Sequence, residues 1–227
     1  MRNLIVCERR PRLVMFYAVY LCLLGLSYRC VEGALRPFAK RSHVAVWKWV
    51  QRLGSRCRSL FTARSRFAVV DETRIWIGGE AWWLWIAVDP ASRAILAMHT
   101  SAHRNSSVAW IILRMLKARC GVRSIATDGA PFHPWAAKRL RHGPSTDLER
   151  SRVERVIEAV KERLRAFDTH FPCRCEDKEH VRRFLALYRL HYNHVRTHMT
   201  LETPPIPTPS PDEFKHFNTM MEVIALS

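Results

Sequence analysis

Residues 67–77, FAVVDETRIWI, decide the fold, because β-branched and aromatic residues fill this stretch and predict a long strand. The pair Gly78-Gly79 that follows is typical of a hairpin turn. Two more β-rich stretches, 82–88 and 94–99, are separated by Asp89-Pro90, another turn signal. The three stretches together predict an antiparallel meander.

After the meander, helix and strand patterns alternate. We expect helices over 106–119 and 131–140, with a short strand over 123–127 between them. A long amphipathic helix with an apolar stripe over 153–167 comes next, and a further helix is predicted over 178–198. This order of elements indicates an α/β domain in which helices cover a mixed sheet.

The charge of the chain points to its partner. Its 227 residues include 37 Lys and Arg against 20 Asp and Glu, which gives a net charge of +17. Such an excess predicts a polyanionic partner, and nucleic acid is the first candidate. Residues 1–66 carry 14 of the basic residues and only two acidic ones, Glu8 and Glu32, so we expect this part to contact nucleic acid.

Three short helices are predicted in the N-terminal part, over 13–24, 27–35 and 43–52. This arrangement predicts a helix-turn-helix domain over residues 1–53, whose third helix enters the major groove, followed by a basic linker over 54–66. A helical hairpin with a solvated basic face is the alternative. The side chains expected to point outward from the third helix, and so to contact DNA, are His43, Trp47, Lys48, Gln51 and Arg52.

An uncharged run over 13–28 also fits the start of a signal peptide or a membrane anchor. Its sixteen residues fall short of the ~20 needed to span a bilayer, so we interpret it as a buried helix and expect no membrane contact. The seven cysteines are scattered through the chain, which argues against a secreted disulfide scaffold. We therefore expect a cytoplasmic protein.

Three carboxylates stand out by their positions. Asp71 places a charge on a mostly apolar face of the strand over 67–77, and a bound cation is one explanation for such a residue. Asp128 follows a predicted strand, and ligands gather at the carboxyl ends of strands in open α/β sheets. Glu154 lies on the amphipathic helix, with Lys161 two turns further on the same side. Taken singly, Asp128 is a turn residue and Glu154 a solvated helix residue.

Taken in order, these motifs resemble the DDE transposase family of bacterial and archaeal insertion sequences, relatives of the retroviral integrases. The resemblance covers most of the chain, and the N-terminal helices occupy the place of that family's helix-turn-helix. The matching motifs are VVDET at 69–73, the turn at 89–90, Arg104, TDGAP at 127–131, VER at 153–155, KER at 161–163, YNHVRTH at 192–198 and Thr203-Pro204.

The resemblance implies an RNase H-like core over 67–200, with Asp71, Asp128 and Glu154 as the catalytic and metal-binding residues. It implies two Mg²⁺ ions, for which Mn²⁺ is a substitute, and hard oxygen ligands agree with that expectation. The implied reaction is cleavage at the ends of an insertion element and attack of the freed 3′-hydroxyl on target DNA. The implied partners are therefore double-stranded terminal repeats, target DNA and, because two ends must meet, further copies of this chain.

The same resemblance assigns Lys161 to a DNA phosphate near the scissile bond, with Arg155 and Arg163 in a similar position. Two departures from the family pattern leave an alternative open. Ser151 replaces the usual Asn three residues before the Glu, and Thr197 replaces the Pro before the last His. The alternative is a catalytically inactive, transposase-derived DNA-binding protein or repressor.

If the third carboxylate is assigned differently, Glu158 is the first substitute for Glu154, and Glu149 the second. Two groups of side chains have the chemistry of metal ligands. One group contains Cys173 and Cys175, whose Cys-x-Cys spacing is not a usual one for zinc. The other consists of His191, His194 and His198, which we expect to pack or to contact DNA. The zinc-type group consists of His170, Cys173, Cys175 and His180. Five prolines follow Leu201, so residues 201–227 are predicted to form an extended, mobile tail.

Overall fold

The computed structural model describes residues 12–57, 63–127, 141–144, 147–170, 179–207 and 212–226, without the side chains of 141–148. Its centre is a five-stranded sheet with the strand order β3-β2-β1-β4-β5. The strands are β1 (Phe67–Ile77), β2 (Glu80–Val88), β3 (Ile95–Ser101), β4 (Ser124–Thr127) and β5 (Arg141–Pro144).

The predicted meander is confirmed, since β2 pairs antiparallel with both β1 and β3. Gly78 and Gly79 have φ angles of 60° and 83°, which a tight hairpin turn requires at both central positions. The other two strands run parallel to β1, so the sheet is mixed as expected. Strand β5 was not predicted, because the RHGP sequence has no β-branched or alternating pattern.

Helices cover both faces of the sheet. One face packs against α4 (Ser106–Met115) and its π-helical continuation, Leu116–Cys120. The other face packs against α5 (Asp147–Leu164) and α6 (Glu179–His194). The observed α6 ends four residues before the predicted one, and the helix predicted over 131–140 lies outside the described residues.

Three helices precede the sheet: α1 (Arg12–Leu23), α2 (Tyr28–Leu35) and α3 (His43–Cys57). Ser27 caps α2 as the sequence predicts, because its hydroxyl accepts a hydrogen bond from the Cys30 backbone N–H at 3.2 Å. Helix α3 continues through the first four residues of the predicted linker 54–66, which corrects that boundary. The reason is packing: α3 lies against α6, and Gly54 sits directly on the Arg183 backbone.

The predicted tail is wrong over its second half, because residues 213–226 form a helix, α7 (Glu213–Leu226). The last proline is Pro211, and Asp212 then accepts a hydrogen bond from the Lys215 backbone N–H at 2.8 Å, as an N-cap does. Phe217 and Ile224 are fully buried in the core that α1 and α3 share with the sheet. In the part of the chain that the structure describes, no helix is both long enough and apolar enough to span a membrane.

Candidate active site

Asp71 lies in the middle of β1, half-buried, on the sheet face that α5 covers. The strand alternates, so Asp71 shares this face with Val69 and Thr73. Its Oδ1 accepts a hydrogen bond from the Glu72 backbone N–H at 2.8 Å, which fixes the orientation of the carboxylate.

Helix α5 runs in the same direction as β1, and three contacts along its length fix this. Near its start, Arg152 Nη1 donates to the Pro90 carbonyl at 2.7 Å, beside the first residues of β1. Further along, Lys161 Nζ lies 3.4 Å from Thr73 Oγ1. Just beyond the helix, the Phe167 carbonyl accepts from the Gly78 backbone N–H at 2.9 Å, past the end of β1.

Because β1 and α5 run in the same direction, two carboxylates lie on the N-terminal side of the contact between Lys161 and Thr73. Asp71 lies about 6.6 Å back along β1, and Glu154 lies about 10.5 Å back along α5, on the side of the helix that carries Lys161. Glu154 is exposed, as is Glu158 one turn later on the same strip of the helix. Glu149, the second substitute, is half-buried in the first turn of α5.

The third expected carboxylate, Asp128, lies outside the described residues. The strand before it is described, and Thr127 at its end is buried. Strand β4 pairs in parallel with β1, with Val69 opposite Ala126.

An ion pair between a buried glutamate and an exposed arginine, on the opposite face of β1, was missed in the sequence. The Glu72 side chain is fully buried, and its Oε1 accepts from Arg104 Nε at 2.7 Å. The Arg104 guanidinium also lies over the Trp83 ring, 5.0 Å from its centroid. The signal available was the second acid beside Asp71, which the strand alternation places on the apolar face toward α4.

The basic residues predicted to contact DNA phosphate near these carboxylates differ in their surroundings. Lys161 and Arg155 are exposed on α5. Arg163 is half-buried, with Nη1 3.4 Å from Glu162 Oε2 and its side chain against Gly25, in the turn after α1. Arg163 thus already has a partner within the protein.

Helix α3 presents only part of its predicted outward face. Gln51 is buried and its Nε2 donates to the His180 carbonyl at 3.2 Å, so its outward assignment is wrong. Trp47 is half-buried, with its ring 5.2 Å from that of His180. The physical reason for both is that α6 covers this side of α3. Lys48 and Arg52 are exposed, one turn apart.

His43, the remaining residue of that set, is half-buried at the start of α3 and bound to α2. Its backbone N–H donates to Glu32 Oε2 at 2.9 Å, and its Nδ1 lies 2.8 Å from the same oxygen. These hydrogen bonds hold the pKa of Glu32 below its usual value.

The structure describes all of one histidine group but only part of the other. His191 is buried between the rings of Tyr20 and Phe217, and burial lowers its pKa to about 4. Cys173 and Cys175 lie outside the described residues. Within the described part of the chain, no three His, Cys, Asp or Glu side chains gather in the manner of a metal site.

The mixed sheet, covered by helices on both faces, is the RNase H-like core that the sequence predicts. Residues 66–199, more than half of the chain, match the family model of the DDE domain of the IS240 transposase type. The chain therefore belongs to the DDE transposase family. The reaction of this family is polynucleotidyl transfer in transposition, and its members generally use divalent metal ions.

Among solved structures, the chain is similar to the catalytic core domain of HTLV-2 integrase in complex with magnesium, in its trimeric form. The identity is 15%, the TM-score is 0.46, and the match covers 65% of this chain and 97% of that chain. It is also similar to a chain in the structure of the simian T-cell lymphotropic virus intasome in complex with PP2A regulatory subunit B56 gamma. There the identity is 16%, the TM-score 0.47, and the coverage 86% of this chain and 78% of that chain. No curated protein matches.

Proposed function

We propose that this protein is a DNA transposase that cleaves strands at the ends of an insertion element and joins the freed 3′-hydroxyl to target DNA. The observation that carries the proposal is the position of Asp71 on the face of β1 that α5 covers. Asp71 on β1 and Glu154 on α5 both lie on the N-terminal side of the contact between Lys161 and Thr73. A carboxylate in the middle of a core strand, facing a helix that brings a second carboxylate, is a costly arrangement unless a cation or a partner compensates it.

Asp128 is the third carboxylate of the proposal. In the sequence it directly follows Thr127, the last residue of the strand that pairs with β1. The pairing of Val69 with Ala126 supports this assignment, because Asp71 and Asp128 each follow their member of that pair by two residues.

The three carboxylates suit a hard divalent cation, since carboxylate oxygens are the ligands that Mg²⁺ prefers, and Mn²⁺ accepts the same donors. Asp71 and Glu154 fit this chemistry: one is held by a backbone hydrogen bond, and the other is exposed. We propose that Asp71, Asp128 and Glu154 hold two such ions. When bound, the ions activate the attacking oxygen and stabilise the leaving oxygen of an in-line displacement.

The basic residues of the chain hold the DNA in this proposal. Lys161 and Arg155 contact phosphates on the strand to be cut, because both are exposed on the helix that carries Glu154. Lys48 and Arg52 on α3 contact the terminal repeat, as the third helix of a helix-turn-helix does. Two ends are joined in one reaction, so the active species is a homo-oligomer on double-stranded DNA.

A cleavage assay tests the proposal. The purified chain is incubated with Mg²⁺ and end-labelled duplex from the flanks of its own gene, beside the Glu154→Gln and Glu158→Gln variants. We expect specific nicks with free 3′-hydroxyls from the wild-type protein and from Glu158→Gln, and none from Glu154→Gln. The two variants lose the same charge one turn apart on the same exposed strip, so each controls for the other.

The contrary results are equally specific. If the Glu154→Gln variant still cleaves and the Glu158→Gln variant does not, Glu158 is the third catalytic carboxylate instead of Glu154. DNA that is bound but uncut by every protein, with Mg²⁺ or Mn²⁺, rejects the catalytic proposal and indicates a transposase-derived DNA-binding protein.

A further inference from the structure

Away from the carboxylates, three arginines surround a small cavity at the free edge of the sheet. The cavity measures about 120 Å³ and lies against β3, which is the edge strand. Arg182 and Arg189 approach it from α6 on one side of the sheet, and Arg119 approaches it from the π-helical turn on the other side. Strand β3 is two positions from β1, about 10 Å away, so the cavity is separate from the site of Asp71.

Two of the arginines are anchored to the edge strand. Arg182 Nη2 donates to the Thr100 carbonyl at 3.4 Å, and Arg189 Nη1 donates to the Leu96 carbonyl at 3.3 Å. These bonds satisfy carbonyl groups that an edge strand leaves unpaired. They use one donor on each side chain, whereas a guanidinium has five.

One of the remaining donors needs an explanation. Arg182 Nε is buried and has no hydrogen-bond partner among the described residues. A buried donor without a partner costs about 1–3 kcal/mol, so such groups in folded proteins usually bind a water or an ion.

The described residues that line the cavity also supply no compensating negative charge. None of the described residues that line it is acidic; besides the arginines they include His99 and Met98. Burial lowers the pKa of Arg189, and the charge of Arg119 lowers it further. Three positive groups around one cavity repel one another, and an anion between them would remove that repulsion.

The position of Arg119 is a further indication. It lies in the five-residue π-helix Leu116–Cys120, which ends at Gly121 with a φ of 73°. π-Helical turns are rare and occur frequently at functional sites, because they re-aim side chains at a cost in regular hydrogen bonding.

We propose that this cavity binds a phosphate group, held by Arg119, Arg182 and Arg189. The planar guanidinium fork matches phosphate oxygens in pairs. The volume exceeds severalfold the ~10–15 Å³ that one water needs, so a phosphate group fits. The phosphate belongs either to the DNA backbone or to a free phosphate-bearing small molecule, and both present the same oxygens.

The first test uses inorganic phosphate and the full-length chain, without divalent metal and therefore without catalysis. Thermal unfolding is followed as phosphate replaces chloride at constant ionic strength, for wild type, Arg119→Gln and Lys117→Gln. Both substitutions remove one positive charge from an exposed position of the same π-helix, but only Arg119 lines the cavity. We expect phosphate to stabilise wild type and Lys117→Gln, and to bind Arg119→Gln about tenfold more weakly or worse.

The second test separates the two sources by measuring duplex DNA binding against salt concentration for the same three proteins. If the phosphate belongs to DNA, Arg119→Gln lowers the slope of log K against log salt by about 0.9, whereas Lys117→Gln leaves it unchanged. If it is a free phosphate compound, the DNA slopes of the two variants coincide, while their phosphate titrations still differ. The proposal is overturned if phosphate stabilises no better than chloride, or if the variants coincide in both tests. Neither readout depends on strand cleavage, so phosphate binding at this cavity can be disproved without disproving the proposed catalysis, and the reverse also holds.

Discussion

Asn193 holds Ile95 by both of its backbone groups. Its Oδ1 accepts from the Ile95 N–H at 2.8 Å, and its Nδ2 donates to the Ile95 carbonyl at 2.9 Å. The pair is buried and ties the end of α6 to the first residue of the edge strand β3. The Asn193 carbonyl also accepts from the Ile206 N–H at 2.8 Å, so one residue connects three segments.

Replacement of Asn193 by Ala should therefore be costly. It removes both side-chain hydrogen bonds to the buried backbone of Ile95, and we expect a loss of about 2–4 kcal/mol in the free energy of unfolding. The control is Asn105→Ala, which removes one exposed N-cap bond of α4 at a cost of about 1 kcal/mol. Urea unfolding of both variants measures the difference, and equal losses would show that the double hydrogen bond adds nothing beyond a cap.

Two glycines should respond to alanine with opposite signs. A Cβ on Gly54 would lie 2.3 Å from the Arg183 carbonyl oxygen, a backbone atom that cannot move aside without shifting α6. We expect Gly54→Ala to destabilise the protein by about 1–3 kcal/mol or more. Gly33 is helical and exposed with nothing within 4 Å, so Gly33→Ala should stabilise by about 0.4–1 kcal/mol. Urea midpoints that move in the same direction would contradict the close packing of α3 on α6.

His191 makes stability depend on acid. Burial, partly opposed by Glu213 and assisted by the positive charges of Arg196 and Arg163, lowers its pKa to about 4. Its ordinary pKa in the unfolded chain is ~6.5, so between pH 6.5 and 4 the unfolded chain binds more protons. Stability is therefore complete above pH 6.5 and falls as the pH drops through that window, by about 3 kcal/mol from this residue.

The test is His191→Phe, which keeps an aromatic ring between Tyr20 and Phe217 but cannot be protonated. Its free energy of unfolding should decline less steeply between pH 6.5 and 4 than that of wild type. Parallel curves would show that protonation of His191 is not what destabilises the native state.

Substitution of only one partner of the ion pair between Glu72 and Arg104 should lower the free energy of unfolding. Arg104→Met leaves the buried Glu72 carboxylate without its guanidinium partner; because that guanidinium is partly exposed to water, we expect a loss of about 1–3 kcal/mol. The double variant Glu72→Gln/Arg104→Met should lose less, because no buried charge remains. A double-mutant cycle by urea unfolding measures this coupling, and additive losses would contradict an ion pair.

Local features of the fold were predictable from the sequence. The bounds of β1, the hairpin at Gly78-Gly79 and the Ser27 cap follow from periodicity, turn chemistry and side-chain hydrogen bonds within a few residues. Features decided by distant segments were not. The four residues of β5 become a strand only because β4 lies beside them, and Gln51 is buried only because α6 covers α3.

The candidate site also contains one residue that is recognisable from the local sequence and one that depends on distant contacts. Asp71 stands out by itself, as a charge on an apolar strand face, whereas Glu154 is an ordinary exposed helix residue until α5 is laid along β1. In the sequence, only the order of the family motifs indicated that Asp71 and Glu154 belong to one site. Nothing of the kind pointed to the cavity, because Arg119 is more than sixty residues from Arg182 and Arg189 in the sequence and meets them only at the sheet edge.

The packing of α3 on α6 has a consequence for engineering. Side chains from α1, α2 and α3 share one continuous core with the sheet and with α5 to α7. Removing or exchanging the first 57 residues would expose the apolar surface of α6 and α7 to water. The N-terminal helices are thus not a detachable cassette, and a chimera that carries another DNA-reading module has to keep them and add the new module in front.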